Sequence, residues 1–187
     1  MKIKKILKIS AIVLGSILLI GVLLLGYGYY QFNGKYNINK EKYPNRIGHI
    51  DPENALYTTG FELCGEGNLT GQYSSSAPHI YKNSKYTFRK YIQQNYSNKE
   101  YTDNGYLNLR FQVNCHGNVG NVEVNQLNEE YEKVQMNSDL VEQLIALTIQ
   151  ENNWQVRYHP DDSTKTFNQY MYLLYKIENG NVTEILP

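Results

Sequence analysis

The chain has 187 residues, and its 18 lysine and arginine residues balance 18 aspartate and glutamate residues, so the formal net charge is zero. This balance gives no support to nucleic-acid binding, which usually requires a basic patch or stripe. The mean hydropathy of −0.54 excludes a membrane protein with many spans, and the 13% aromatic content excludes a chain that is disordered throughout.

The N-terminal segment is typical of a membrane anchor. An uncharged and largely apolar run extends from Ile9 to Gly34, behind a cluster of lysines. A helix over Ile9–Tyr30 would be about 33 Å long, enough to cross a hydrocarbon core of about 30 Å. The lysines favour a cytoplasmic N-terminus; they are Lys2, Lys4, Lys5 and Lys8. We therefore expect residues 1–30 to be a single-pass anchor.

The alternative is a signal peptide that is removed after export. Such a peptide usually has a shorter apolar core and a small-x-small cleavage site, of which Gly26-Tyr27-Gly28 is a poor version. No cysteine follows the apolar run closely, which argues against a lipoprotein. In either case we expect residues 35–187 to lie outside the cytoplasm.

The exported part contains the only two cysteines, Cys64 and Cys115. An oxidising compartment favours a disulfide between them, and closing a loop of about 52 residues would contribute on the order of 4 kcal/mol at most. A redox or metal pair is the alternative, but the chain lacks a C-x-x-C motif and its histidines are dispersed. We therefore predict a structural disulfide and no metal site.

Residues 31–79 are predicted to be an irregular linker, because scattered glycines and prolines interrupt every pattern there. Regular patterning begins near Ser84, where helical spacing predicts a short helix over 84–96. Strict alternation then predicts a half-buried strand from Tyr106 to Cys115, followed by a turn at His116–Gly120 and a second strand through Val122 and Val124.

A second helix is predicted from Asp139, which with Glu142 matches a capping box, to about Glu151. Trp154 follows and is expected to anchor the core. After a polar loop at 160–166, an apolar strand is predicted over Tyr170–Ile177, and Asn-Gly at 179–180 predicts a hairpin into a last strand at 182–186. The order predicts an α+β domain over 80–187, with helices on an antiparallel sheet of three to four strands.

In this order, the elements over residues 80–187 resemble the C-terminal domain of TonB in its divergent Bacteroidetes-type form. The resemblance is carried by the strand Gly105-Tyr106-Leu107 to Phe111-Gln112-Val113-Asn114, by Trp154 after the middle helix, and by the ending Asn179 to Pro187. No single motif is diagnostic, and the ordered set covers a little over half of the chain.

The resemblance implies a periplasmic domain on an inner-membrane anchor that acts in energy-dependent transport. Its partners would be an outer-membrane receptor or other envelope protein and an inner-membrane motor complex, with no cofactor. In that family a receptor segment adds as a strand to an exposed sheet edge. The residues expected at this partner-binding edge are Tyr170, Tyr172, Leu174, Lys176, Val182 and Glu184.

Two features depart from the family pattern. The anchor Ile9–Tyr30 lacks the histidine that couples classical members to the motor complex, and residues 31–79 lack a long proline-rich spacer. The strand at 182–186 is also a candidate to pair with the edge that would otherwise receive a receptor segment. An accessory envelope protein without energy coupling is therefore the alternative function. An enzyme is not expected, because no catalytic motif is present.

Overall fold

In a computed structural model of the protein, the described residues are 2–34, 42–43, 48–51, 53–65, 69–71, 80–159 and 162–186. The chain divides into two compact units, Met1–Pro44 and Asn45–Pro187. The sequence placed the start of the folded domain at residue 80, whereas the second unit begins at Asn45. Of the predicted linker, residues 35–41, 44–47, 52, 66–68 and 72–79 lie outside the described residues.

The described part of the first unit is mainly one long apolar helix. Helix α1 spans Lys2–Tyr29 and continues as a wider π-type turn over Tyr30–Gly34. Its segment Lys8–Gly34 contains an 18-residue stretch with a mean hydropathy of 2.7 and is long enough to cross a membrane, as predicted. A helix of this length and composition near an N-terminus is either a membrane anchor or a signal sequence.

The second unit is an α+β fold built on a mostly antiparallel sheet. Its strands are β1 (Leu69–Gly71), β2 (Gly105–Val113), β3 (Val119–Leu127), β4 (Arg157–His159), β5 (Asp162–Glu178) and β6 (Asn181–Leu186). The long β5 lies at the centre. It pairs antiparallel with β2, β4 and β6, and parallel with the short β1, while β3 pairs antiparallel with β2.

The predicted strands form, but the sheet is larger than expected. The described sheet has six strands instead of three to four. The additional strands are β1 and β4. Strand β1 lies within the predicted linker and pairs with β5. Strand β4 pairs with the start of β5, because the predicted polar loop at 160–166 is wrong from residue 162 onward, where β5 begins. Residues 160 and 161 of that loop lie outside the described residues. Backbone pairing with β4 gives this polar stretch its extended form.

Two helices of the second unit carry apolar residues into its core. Helix α2 spans Lys85–Asn95, and the Ser84 side chain caps it by accepting a hydrogen bond from the Thr87 N–H. Helix α3 spans Ser138–Thr148. The predicted capping box is wrong, because Asn137 is the N-cap of α3 and its side chain accepts from the backbone N–H groups of the next turn.

The core lies between these helices and one face of the sheet. Leu107, Leu109, Phe111 and Val113 of β2 are fully buried there, as their alternation predicts. Trp154 is 3% exposed, and its ring lies 5.0 Å from that of Phe111. Its indole N–H donates to the carbonyl oxygen of Thr148 at 2.8 Å, which satisfies the buried donor. Trp154 is therefore a core anchor, as predicted.

Candidate partner-binding edge

The last hairpin places β6 at the margin of the sheet. Asn179 and Gly180 have φ angles of 49° and 68°, which is the pattern of a type I′ turn and matches the right-handed twist of paired strands. The turn is held by the preceding loop: the Gly180 N–H donates to the Asp103 carbonyl oxygen at 2.9 Å, and the Tyr96 hydroxyl donates to the Gly180 carbonyl oxygen at 2.6 Å.

Strand β6 has one edge with which no other described strand pairs. Among the strands that the structure describes, β6 pairs with β5 alone. Its other edge, called the β6 edge below, therefore presents main-chain N–H and C=O groups to which an added strand could bind. A register shift opposite Lys176 and Ile177 interrupts the ladder near the hairpin, and regular pairing resumes from Glu184 to Leu186.

A groove runs between β6 and helix α2. This groove is called the α2–β6 groove below. Its walls are formed by Tyr86, Arg89, Lys90 and Gln93 of α2 and by Val182, Thr183 and Ile185 of β6. The four α2 residues follow the i, i+3, i+4, i+7 spacing of a single helix face. The core-facing residues Phe88 and Ile92 lie on a different face. A strand added at the β6 edge would place alternate side chains toward this groove.

The α2 wall of the groove is positively charged. Burial and the charge of Arg89 both lower the pKa of Lys85. The Lys90 ammonium lies 4.7 Å from the centroid of the Tyr86 ring, within the range of a cation–π contact. The groove therefore combines an exposed aromatic ring with a cationic surface.

The opposite face of β6 carries a small ion network. Lys176 on β5 lies 2.7 Å from Glu178 and 3.7 Å from Glu184. The hydrogen bond and charge of Glu178 raise the pKa of Lys176, and the same contact lowers the pKa of Glu178. Because all three groups are partly or largely exposed, we expect this network to contribute little to the free energy of unfolding.

The structure separates the six residues predicted for the partner-binding edge. On β5, Leu174 and Lys176 are paired with β2 on one side and β6 on the other, so their backbone groups lie inside the sheet. Tyr170 is likewise paired with β2 and β1, and its side chain is 2% exposed. Tyr172 pairs with β2 and lies in the short interval between β1 and β6 on the other edge.

The remaining two residues, Val182 and Glu184, lie on β6 and border its free edge. Val182 packs against the core, and the Glu184 side chain is exposed. Sequence analysis did not identify the α2 wall. The sequence does contain a pattern that could have indicated it: a polar and aromatic stripe on the face of the helix opposite Phe88 and Ile92, formed by Tyr86, Arg89, Lys90 and Gln93. Its position beside β6 depends on the tertiary fold.

Part of the predicted linker covers the second face of the sheet. The Arg110 guanidinium lies at the centre of this contact: it donates to the Tyr170 hydroxyl at 2.8 Å, to Glu123 at 2.7 Å and to the His49 carbonyl oxygen. Arg110 is 4% exposed. Phe61, from the predicted linker, packs closely against Gly120: a Cβ added at Gly120 would lie 2.2 Å from the Phe61 ring.

The predicted disulfide ties this cover to the sheet. Cys64 and Cys115 are bonded, with their Cα atoms 5.9 Å apart. Beside the bond, the Cys64 N–H donates to the Asn168 side chain and the Asn168 amide donates back to the Cys64 carbonyl oxygen, each at 2.9 Å. His116 also lies close to both sulfur atoms. Because the sulfurs are joined to each other, they are not thiolate ligands for a metal.

Comparisons of the chain with known protein families, with curated proteins and with solved structures find no match.

Proposed function

We propose that this protein is a membrane-anchored envelope protein that binds an extended segment of a partner protein by strand addition at the β6 edge. The observation that carries the proposal is the pairing of β6, which has β5 as its one partner among the described strands and a side-chain groove next to its open side. Main-chain hydrogen bonds provide affinity in this mode, and alternate side chains provide specificity.

The physical setting of β6 supports this proposal. The strand is held on its inner side by β5, and its core residue Ile185 is 3% exposed, so the edge is a rigid template. Described residues 181–186 contain no proline that would block an added strand. A preformed edge binds an extended segment at a lower entropic cost than a flexible loop would.

The TonB-like form of the proposal is more specific. In this form the helix α1 anchors the protein in the inner membrane with its N-terminus in the cytoplasm, and the second unit lies in the periplasm. The partner is an outer-membrane receptor, an inner-membrane motor complex is a second partner, and the role is energy-dependent transport. Support comes from the element order α2, β2, β3, α3, β5, β6 behind a single apolar helix.

A second candidate function is that of an accessory envelope protein without energy coupling. The observation that favours it is the sequence of α1, in which no histidine or other titratable residue occurs between Ile9 and Gly26. A helix without a titratable group has no side chain that could exchange protons with a motor complex inside the membrane. Strand addition at the β6 edge is common to both forms.

Photocrosslinking in cells tests strand addition. A photoreactive amino acid at Thr183, on the rim of the α2–β6 groove, should form an adduct with a partner. The same amino acid at the exposed Glu142 of α3 is the matched control and should not. Mass spectrometry should map the adduct to an extended segment of the partner. Equal adducts from both positions, or an adduct on a folded helix of the partner, would contradict the proposal.

Deletion of the gene separates the two forms. Loss of energy-dependent uptake through an outer-membrane receptor is expected of the TonB-like form. Normal uptake together with an intact adduct at Thr183 supports the accessory form.

A further inference from the structure

We infer that the segment bound at the β6 edge is acidic, with carboxylates at alternate positions that face the cationic wall of the α2–β6 groove. This inference rests on the strand addition proposed above and adds the chemical class of the partner. It is drawn from the positions of Lys85, Arg89 and Lys90 on helix α2.

The three cations form a cluster beside the open edge. Arg89 and Lys90 line the groove, and Lys85 lies one helical turn before Arg89. Within the described part of the chain, none of them forms an ion pair. The contrast is with Arg110, Lys165 and Lys176, each of which has a carboxylate partner.

The cluster is unfavourable for α2 itself. Lys85 and Arg89 are like charges at i and i+4, an arrangement that destabilises a helix. No acidic residue lies in the first turn of α2 to offset them. A carboxylate supplied by a ligand would offset this repulsion between Lys85 and Arg89, so binding of an acidic segment should stabilise helix α2.

Strand geometry explains the alternation. A strand added beside β6 would lie about 4.8 Å beyond it, and its side chains would point alternately to the two faces of the sheet. Those on the α2 face would enter the groove beside Arg89 and Lys90. Those on the other face would lie near Glu184, which is exposed and negatively charged. Carboxylates are therefore expected on the α2 face and uncharged residues on the other.

A second copy of this chain is a poorer occupant than an acidic segment. Two β6 strands that paired antiparallel, edge to edge, would bring two α2 helices to the same face of the joined sheet. The cations at 85, 89 and 90 of one copy would then face the same cations of the other. Like charges placed across an interface cost affinity, so the cluster disfavours self-pairing at this edge.

The test uses the full-length protein in detergent and three labelled ten-residue peptides. One alternates valine with glutamate, one alternates valine with glutamine, and the third is the glutamate peptide with every backbone nitrogen methylated. Binding is measured by fluorescence anisotropy, and the single tryptophan, Trp154, which is buried, reports that each variant is folded.

The glutamate peptide should bind about tenfold more tightly than the glutamine peptide at low salt, as expected for two exposed ion pairs. The difference should shrink as salt screens the charges. The variant R89E/K90E should lose the preference for glutamate while remaining at least as resistant to urea as the wild type. The control K99E/K133E makes the same charge change at exposed lysines away from the groove and should keep the preference.

The outcomes distinguish the preference for an acidic segment from strand addition itself. Equal binding of the glutamate and glutamine peptides, or an equal effect of R89E/K90E and K99E/K133E, would overturn the acidic preference and leave strand addition standing. A preference for glutamate that survives N-methylation would overturn strand addition. No binding by any peptide would overturn both the inference and the proposed function. A wild-type dimer that R89E/K90E dissociates would place a second copy at these cations and would overturn the inference.

Discussion

The buried ion pair between Arg110 and Glu123 should dominate the attachment of the segment near His49 to the sheet. The two charged groups lie 2.7 Å apart, and their side chains are 5% and 12% exposed. Removing one partner from such a pair leaves a poorly hydrated charge, which typically costs about 3–5 kcal/mol. We therefore expect R110M to lower the free energy of unfolding by about 3–5 kcal/mol.

The double variant R110M/E123Q separates pairing from packing. If the stranded carboxylate causes most of the loss, the double variant should be more stable than the sum of the two single changes by at least about 1 kcal/mol. The assay is urea unfolding of the full-length protein in detergent, followed by the fluorescence of Trp154. Because both groups are buried, the coupling should change little with added salt.

Two results would refute this reasoning. One is a loss below about 1 kcal/mol in R110M, which would mean that water reaches Glu123 once the guanidinium is gone. The other is strict additivity of the single changes, which would mean that Arg110 acts through Tyr170 and His49 alone.

Three further predictions concern the disulfide and the last hairpin. Reduction of Cys64–Cys115, which closes a loop of sequence separation 51, should lower the unfolding free energy by up to about 4 kcal/mol; an unchanged urea midpoint with reductant would contradict this. G180A places a Cβ 2.3 Å from the Tyr101 carbonyl oxygen at a φ of +68°, and should cost about 2–3 kcal/mol in the same assay; a loss below about 1 kcal/mol would show that the turn can shift. Burial and nearby charge raise the pKa of Tyr96 from 10.0 to about 12, so the native state holds this proton more tightly and unfolding free energy should fall as pH rises from about 10 through 12; Y96F should flatten that fall, and an equal slope in both proteins would refute the assignment.

Local sequence patterns correctly predicted the elements whose side chains on one face pack into the core. The alternation of β2, the helical stripe Phe88 and Ile92, and the Asn179-Gly180 turn were each recognisable because side-chain period or backbone preference decides them within a few residues. The two cysteines were paired correctly for a simpler reason, since the chain offers no other partner.

The predictions were wrong for polar residues whose hydrogen-bonding or packing partners are distant in sequence. The stretch from Asp162 was expected to be a loop, yet it is the start of the longest strand because β4 supplies its hydrogen bonds. The strand from Tyr106 to Cys115 was expected to be half-buried, yet its polar residues Arg110, Gln112 and Asn114 are also buried, on the face covered by the segment that includes His49 and Phe61. Polar composition alone does not reveal such partners.

The sequence by itself determined the apolar helix, the α+β class and the order of the main strands, because these depend on local periodicity. Only the tertiary structure decided that Leu174 and Lys176 are enclosed between two strands, that β6 pairs with β5 alone among the described strands, and that Arg89 and Lys90 lie beside β6. The physical reason is that a strand lies at the edge of a sheet when one of its sides has no partner strand. Which strand this is depends on the pairing of all the strands together.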